Sequence, residues 1–567
     1  MMIKGKNIKL LSTMLVLVLV LGAFLAGCGD KGKDIVDSKG DDKKQDDAKA
    51  KEDDKKDDKK EDETGETTGD FDGYPMDVGD VTISWWVGAG YGLHEAYATA
   101  DESPFHAGLI EHTGVNIDWQ FPTAGTDASQ SRNLLIASGE LPDIMYTMAG
   151  QDMEHYMEEG VVRDLTDYIQ EYSPAYYKLL QSNEAYDKGL KTDSGKYYGY
   201  GFFREDGGWN DTYLGPVVRQ DWLDELNLKT PETISDWDET LKAFKAEYDA
   251  VLSFGWNRFR TTGISGAFGA YGAANYQLFV DDNNKIQLAQ AQPEWKEYMA
   301  KLNEWWSAGL LDQDVMTMDD DIARTKALNE VMGLSVTSMG QLTNWRSDAE
   351  DAGNGANWLG LQYPTGDDGT LSMVFGGYGF RSDVAAITTG CTDDKLEIAM
   401  RLLDYAYTEE GNLYWNFGTK GVSWDYDADG EPEYTDLLVN DPDGLNDAIA
   451  KYSGTVWSAS GIQATKLLYL KNSQEAIDAN DLWFYPNEDV TAKWTVPPGI
   501  TFTTEETDRL SDIEDSISTY VSEMAAKFIT GEESLDNFDS FLDQLESMNL
   551  EEVLEIRQGA YDRYLAR

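Results

Sequence analysis

Residues 81–97 read VTISWWVGAGYGLHEAY: an alternating apolar segment, a glycine-rich turn and a His-Glu pair. Phosphate loops and zinc-protease helices begin in such places. Neither chemistry is complete. Gly88 and Gly90 start a G-x-G-x-x-G pattern, but Leu93 stands where its third glycine belongs and Gly92 comes one residue early. His94 and Glu95 start H-E-x-x-H, but the fifth position is Ala98, and His106, His112 and His155 show no ligand spacing. GISGA at Gly263–Ala267 misses the nucleophile elbow because Ala267 replaces the last glycine. GNLYWNFG lacks the Lys-Ser/Thr that closes a phosphate loop. Glycoside hydrolysis asks only for two carboxylates at a set separation, so 104 acidic residues leave a cell-surface glycan-degrading enzyme open as an alternative.

One stretch has metal-ligand spacing. DYDADGEPEYTD puts Asp425, Asp427, Asp429 and Asp436 at calcium-loop offsets 1, 3, 5 and 12, with Gly430 at 6. Position 12 is Asp rather than a bidentate Glu, and position 8 is Pro432. A hairpin turn built on Asp-Gly explains the same residues and is the favoured reading, with Ca²⁺ as the weaker one.

Compartment narrows the chemistry further. Lys4, Lys6 and Lys9 precede an apolar run from Leu10 to Leu25, and LAGC follows at Leu25–Cys28. This order resembles the signal of bacterial lipoproteins, which implies cleavage before Cys28 and lipidation of its sulfur. Two or more acyl chains anchor stably where one is marginal, so the protein is expected on the extracytoplasmic face of the cell membrane. Cys391 is then the one cysteine left, and no internal disulfide is possible. Residues 30–70 are almost wholly Asp, Glu, Lys, Gly, Ser and Thr, too polar to bury a core, and read as a flexible tether spanning roughly 35 Å.

Most of the formal net charge of −58 belongs to the chain beyond that tether. Such a field repels phosphate backbones and anionic lipid heads, which excludes nucleic acid as a partner and favours a neutral ligand. The remaining length is too great for one ordinary core, so two lobes are expected. Among 17 Trp, 31 Tyr and 19 Phe, many sit beside Gly, Asn and Asp, as in GGWNDTYLG and FGWNRF, where flat stacking platforms are more natural than packing.

The elements that must position these residues alternate. VTISWWV reads as a strand, FHAGLIEHTGVNIDWQF as a helix stopped by Gly114 and then a strand, and ASQSRNLLIASGELPDIMYTM as a helix, a turn and a strand. KYYGYGFF continues a βαβαβ rhythm that indicates a largely parallel α/β sheet. A second run begins at YLGPVV, and the TPETISDW stretch carries helix-start residues around Pro231. In PEWKEYMAKLNEWWSAGLLD, Trp295, Tyr298, Met299, Leu302, Trp305 and Trp306 recur at helical spacing and are expected in a core. VMGLSVTSMGQLTNW reads as a strand followed by a loop carrying Trp345. From Ile513 on, Ile517, Tyr520, Val521, Met524 and Phe528 share one helical face.

The order EHTGVNIDW, NLLIASGELPDIMY, GKYYGYGF, VVRQDWLDELNLKTPETISDW, EWWSAGLLDQD, GYGFRSD and AMRLLDYAYTEEGNLYWNFGTKGVSW, with the helical C-terminus, resembles the family 1 extracellular solute-binding proteins, maltose-binding-like and serving oligosaccharide importers. The resemblance implies a type II periplasmic-binding-protein fold: two α/β lobes, a hinge, a ligand cleft and a helical C-terminal extension. It implies an oligosaccharide ligand, permease subunits of an ABC transporter as partners, a monomer and no catalysis. A peptide or other organic solute is the alternative ligand. The division it suggests is a signal peptide over 1–27, lipidated Cys28 and tether over 28–75, lobe 1 over 76–203, lobe 2 over 204–373, a return to lobe 1 over 374–410, and a mostly helical part over 411–567 on lobe 2 and the hinge. Alginate-binding relatives carry a calcium loop after the helix matching DETLKAFKAEY; here DAVLSFGWNRF stands in that place, so that metal is not carried over.

A pyranose stacks its C–H face on an aromatic ring and ties its hydroxyls to mixed donors and acceptors. The candidates at strand ends and in aromatic loops are Trp85, Trp86 and Tyr91, then Gln151 and Asp152, then Arg204, Glu205, Trp209 and Asn210. Trp256, Arg258, Tyr271, Trp345 and Tyr378 complete the set. Alternation points only one of Trp85 and Trp86 into the cleft.

Overall fold

A computed structural model describes residues 71–567 apart from 89–92, 94–95, 123–125, 256–262, 273–274, 443, 455–459 and 491–492. The signal segment, Cys28 and the tether lie outside the described residues. Among the described residues no helix is long and apolar enough to cross a membrane.

The strands in chain order are β1 Thr82–Trp86, β2 Asn116–Gln120, β3 Ile144–Ala149, β4 Tyr200–Arg204, β5 Leu214–Arg219, β6 Val251–Leu252 and β7 Leu278–Val280. They continue with β8 Ile286–Leu288, β9 Met332–Ser338, β10 Trp358–Gly360, β11 Phe380–Ile387, β12 Trp424–Tyr426, β13 Pro432–Tyr434 and β14 Gly461–Gln463. Six of them form the lobe 1 sheet in the order β14-β4-β11-β3-β1-β2. β1 runs parallel to β2 and β3, while β11 runs antiparallel to both β3 and β4. The sheet is therefore mixed rather than largely parallel, because the returning strand β11 is inserted at its centre.

Local signals set the helices that cover this sheet. Helix Pro104–Thr113 starts on a proline, whose missing N–H costs nothing in a first turn, and stops at Gly114 with φ +74°. A Cβ at Gly114 would also run into the backbone of Met76, so glycine is required there twice over. Inside, the Trp85 indole stacks on Trp119 of the neighbouring strand at 5.0 Å and 24° and meets the edge of Tyr146 at 5.7 Å. This pairing follows from the register, in which Trp85 and Trp119 stand side by side.

Lobe 2 is built on a second sheet in the order β10-β5-β9-β6, with β5 antiparallel to β9 and β10. Strand alternation lets β5 feed two cores: Leu214 and Val218 pack with Trp237 and Trp305, and Val217 packs with Trp345 and Trp483 on the other side. Thr233 and Asp236 form a reciprocal capping box at the start of helix Ile234–Tyr248, which TPETISDW announces. Helix Pro293–Ser307 buries Trp295, Tyr298, Met299, Leu302 and Trp305 as its spacing requires, and leaves Trp306 half-buried. It packs against the long helix Thr504–Thr530, whose buried face carries Ile513, Ile517, Val521, Met524 and Phe528.

The chain passes between the lobes three times. Residues 205–213 lead from β4 to β5, residues 375–379 lead back to β11, and residues 464–471 leave β14 for the helices on lobe 2. The return to lobe 1 thus extends well beyond the 374–410 expected. Tyr414 and Trp415 sit in the lobe 1 core, and β14 adds itself parallel to β4 at the sheet edge. Short β14 carries too little periodic signal to mark a strand in the sequence.

Candidate functional site at the hinge

Where β4 ends, Arg204 turns into a buried polar cluster. Its Nη1 lies 2.9 Å from the Asp211 carboxylate and donates to the Asn210 carbonyl at 2.7 Å. Its guanidinium lies 4.9 Å from the centre of the Tyr213 ring. Asp211 accepts the backbone N–H of Gly379 from the second crossing. Gly377 keeps that approach possible, since a Cβ there would stand 2.7 Å from the Asp211 carboxylate. Burial pushes the Asp211 carboxyl up, against the pull of Arg204. The third crossing joins through Thr465, whose N–H donates to the Glu205 carboxylate at 2.8 Å and whose hydroxyl is 3.0 Å from Asn210 Nδ2. All three connections between the lobes are tied together here by charged and amide side chains.

The cluster leaves groups over. Among buried side-chain atoms, Arg204 Nε, Asn210 Oδ1, Thr212 Oγ1 and Gln341 Oε1 find no hydrogen-bond partner in the protein. Buried polar atoms are nearly always paired, so each of these can take a water or a polar ligand. Gln341 belongs to the first turn of helix Met339–Ala352, which follows β9 directly and is joined to the hinge by the Met339 N–H bonded to the Tyr213 carbonyl at 2.9 Å. Lys471 ends the third crossing beside Arg204.

Two further candidates lie in the segment after β3. Gln151 is exposed, and its carbonyl accepts the N–H of Phe502 at 3.0 Å. Asp152 is half-buried; desolvation pushes its carboxyl up, while Arg132, His155 and Arg557 pull it down. Arg557 itself is held by Glu514 at 2.6 Å, and Tyr276 donates to the other oxygen of Glu514 at 2.7 Å.

Of the sequence-derived candidates, the structure brings Arg204, Glu205 and Asn210 together at the hinge. Trp209 is beside them but offers no free face: it is buried, stacked on Tyr469 at 5.4 Å and 9°, with Nε1 donating to Asp481 at 2.8 Å. Trp85 and Trp86, 1% and 5% exposed, both belong to the lobe 1 core, which corrects the expectation that one of them points into the cleft. The strand is covered on both faces, so alternation places neither indole in solvent. Trp345 is likewise corrected: it sits on a helix rather than a loop, 2% exposed and edge-on to Trp358 at 5.2 Å. Tyr271 stacks on Phe279 at 4.5 Å and keeps part of its surface open. Half-buried Tyr378 donates to the Thr495 carbonyl at 2.7 Å. Tyr91, Trp256 and Arg258 lie outside the described residues.

Sequence reasoning missed Thr212, Gln341 and Lys471, because single polar residues in short connections carry no pattern. Tyr469, 45% exposed while stacked on Trp209, was also missed, inside a run that reads as plain helix.

The solute-binding family model described as "Bacterial extracellular solute-binding protein" matches residues 96–413. The chain belongs to this family. As a family member it is similar to the fructooligosaccharide ABC transporter substrate-binding protein FusA of Streptococcus pneumoniae serotype 4, at 24% identity over 81% of this chain and 86% of that protein. It is also similar to the polygalacturonan/rhamnogalacturonan-binding protein YtcQ of Bacillus subtilis, at 22% identity over 97% of this chain and 98% of that protein. Among solved structures, the alginate-binding protein AlgQ2 shares the fold with a TM-score of 0.69 and 22% identity, over 85% of this chain and 98% of that one. An HMO-binding, ABC-transporter-associated solute-binding protein from Bifidobacterium longum infantis matches with a TM-score of 0.70 and 16% identity, over 86% of this chain and 99% of that one. The fold is the type II arrangement of two α/β lobes about a hinge, and the family places the protein outside the cytoplasm.

Asp425, Asp427, Asp429 and Asp436 do not converge. Asp425 pairs with Glu433 across the β12–β13 hairpin, Asp427 accepts the N–H groups of Asp429 and Glu431 at 2.9 Å each, and Asp436 begins the helix Asp436–Val439. The turn closes on its own backbone bonds, with Gly430 at φ +86°. Among the described residues no group of three His, Cys, Asp or Glu side chains is arranged to hold a metal.

Proposed function

We propose that this chain is the lipid-anchored substrate-binding subunit of a carbohydrate ABC importer, capturing an oligosaccharide by closure of its two lobes. The observation that carries the reading is the hinge cluster, where Arg204, Asn210, Asp211 and Glu205 tie the three crossings together and leave buried donors and acceptors over. A ligand that engages these groups from both lobes favours the closed form by its differential affinity for it, and a permease can read that form. The named ligands of the relatives FusA and YtcQ support a glycan. Cys28 in its lipobox supports attachment at the extracytoplasmic face of the membrane, and the Asp425–Asp436 hairpin needs no calcium to close. The protein is a binder, not an enzyme, and acts as a monomer.

Calorimetry against a panel of plant and host oligosaccharides, with reducing ends measured in parallel, tests this. The expected outcome is saturable binding of at least one glycan without new reducing ends. Turnover would identify a glycan-degrading enzyme instead, and binding of peptides alone would replace the ligand class.

A further inference from the structure

The three crossings are not the whole connection between the lobes. Beyond the third, the chain is fixed to lobe 2 at Trp494, whose carbonyl accepts the Val280 N–H at 2.9 Å, and then runs along lobe 1. Gly499 lies flush on Gly189, since a Cβ on it would stand 2.3 Å from Gly189 Cα. Phe502 donates to the Gln151 carbonyl, and the Thr504 hydroxyl donates to Glu158 at 2.7 Å, with His155 Nδ1 3.0 Å away. Arg567 ties the carbonyls of Lys188 and Gly499 together through one nitrogen. Asp193 stands between Arg567 at 2.6 Å and Arg563 at 2.5 Å, and Arg563 reaches on to Glu506 at 2.6 Å.

These contacts lie on the side of lobe 1 that looks toward lobe 2. Gln151 follows the end of β3, where Ala149 pairs with Asp383 just after the second crossing. Gly189 packs on Phe380, the first residue of β11, with room for no Cβ between them. What they meet belongs to the other lobe: Phe502, Ile513 and Tyr561 share a buried cluster with Trp237 and Trp305. Met153, Leu190 and Tyr198 of lobe 1 belong to a separate one. The junction is therefore made by hydrogen bonds and ion pairs, without a shared apolar core. Polar groups that part exchange their bonds for bonds to water, so such a junction opens at far lower cost than an apolar one.

We infer that the Asp193 loop and the C-terminal arginines form a releasable latch that draws the lobes together before any ligand arrives. Rotation about the hinge that opens the cleft parts Gln151, Glu158 and Asp193 from their partners. The larger the latched fraction of chains, the higher the apparent affinity for a ligand that binds the closed form. The Arg563 side chain is 36% exposed, so salt screens its pairs more than those of Arg567, which is 5% exposed. The latch regulates the site proposed above but does not depend on what that site binds.

The test reads the distance between the lobes without ligand, by spin labels at Glu140→Cys in lobe 1 and Asp351→Cys in lobe 2, both exposed. The full chain carries Cys28→Ser, and buried Cys391 takes no label. Asp193→Asn is expected to shift the distance distribution to longer and broader values, and Arg563→Gln to shift it the same way by less. Raising salt to about 1 M, where the screening length is about 3 Å, is expected to lengthen the distances in the reference chain and to move Asp193→Asn less. Melting temperatures show that each variant folds; if Asp193→Asn does not, Arg563→Gln and the salt series decide. Distances that the folded variants leave unchanged or shorten, or that salt does not move in the reference chain, overturn the latch and leave the proposed function standing. Failure to bind any glycan removes the proposed function without touching the latch.

Discussion

Single residues in this protein are governed by how completely they leave water. Asp404, 3% exposed, accepts the N–H of Tyr176 at 2.7 Å and of Ala175 at 3.3 Å, which anchors the start of helix Pro174–Leu180. Those bonds and Arg401 favour the carboxylate, but desolvation outweighs them and pushes the carboxyl up to about 6. The folded chain therefore holds this proton more tightly than the unfolded chain. Its contribution to stability is present in full below about pH 4 and is lost as pH rises through about 6. Asp404→Asn keeps an acceptor for the helix N–H groups and removes the charge. It is expected to raise the melting temperature at pH 7.5 and to leave it little changed at pH 4, measured by calorimetric scans at the two values.

At the scale of elements, periodicity decided what could be anticipated. Helix Pro293–Ser307 and helix Thr504–Thr530 are long enough for their apolar spacing to show, and their buried faces are those the spacing requires. The strand end at Ser338 is different. TSMGQLTNW contains Thr, Gly, Ser and Asn and reads as a loop, yet it folds as helix because Ser338 caps it through the Gln341 N–H at 3.3 Å and Leu342 and Trp345 bury one face. Tertiary packing overrode weak propensity. Trp345 is consequently a structural residue, and Trp345→Ala is expected to cost about 3–5 kcal/mol of stability. Urea unfolding checks this, and ligand affinity at a temperature where the variant is folded should stay close to that of the unaltered protein. A large affinity loss without destabilisation would return Trp345 to the binding site.

At the scale of the whole molecule, the C-terminus closes the structure. Arg567 donates to the carbonyls of Lys188 at 2.9 Å and Gly499 at 2.8 Å, and to the carboxylate of Asp193 at 2.6 Å. Arg563 links the same Asp193 to Glu506 at the start of helix Thr504–Thr530. A lobe 1 loop is thereby fastened to the helices that rest on lobe 2, and a side chain 5% exposed makes the connection. Breaking a buried charged pair strands its partner, so Arg567→Ala is expected to cost about 3 kcal/mol. Urea unfolding of the variant beside the unaltered chain reads that loss. No apolar pattern foretold this clamp, since it depends on Arg567 meeting residues nearly four hundred positions earlier.

The sequence by itself determined the two α/β lobes, the main helices and the family, because these follow from periodic burial and from ordered segments along the chain. It also pointed to Arg204, Glu205 and Asn210, since a strand end leading into an aromatic loop is a visible place for polar groups. Only the tertiary structure decided which tryptophans are core, because burial on both faces of a sheet cannot be read from one strand. It alone brought Gly379 and Thr465 to Asp211, Glu205 and Asn210, since three crossings far apart in the chain meet there. VTISWWV thus supplies part of the lobe 1 core, and unpartnered buried polar groups lie where the lobes are joined.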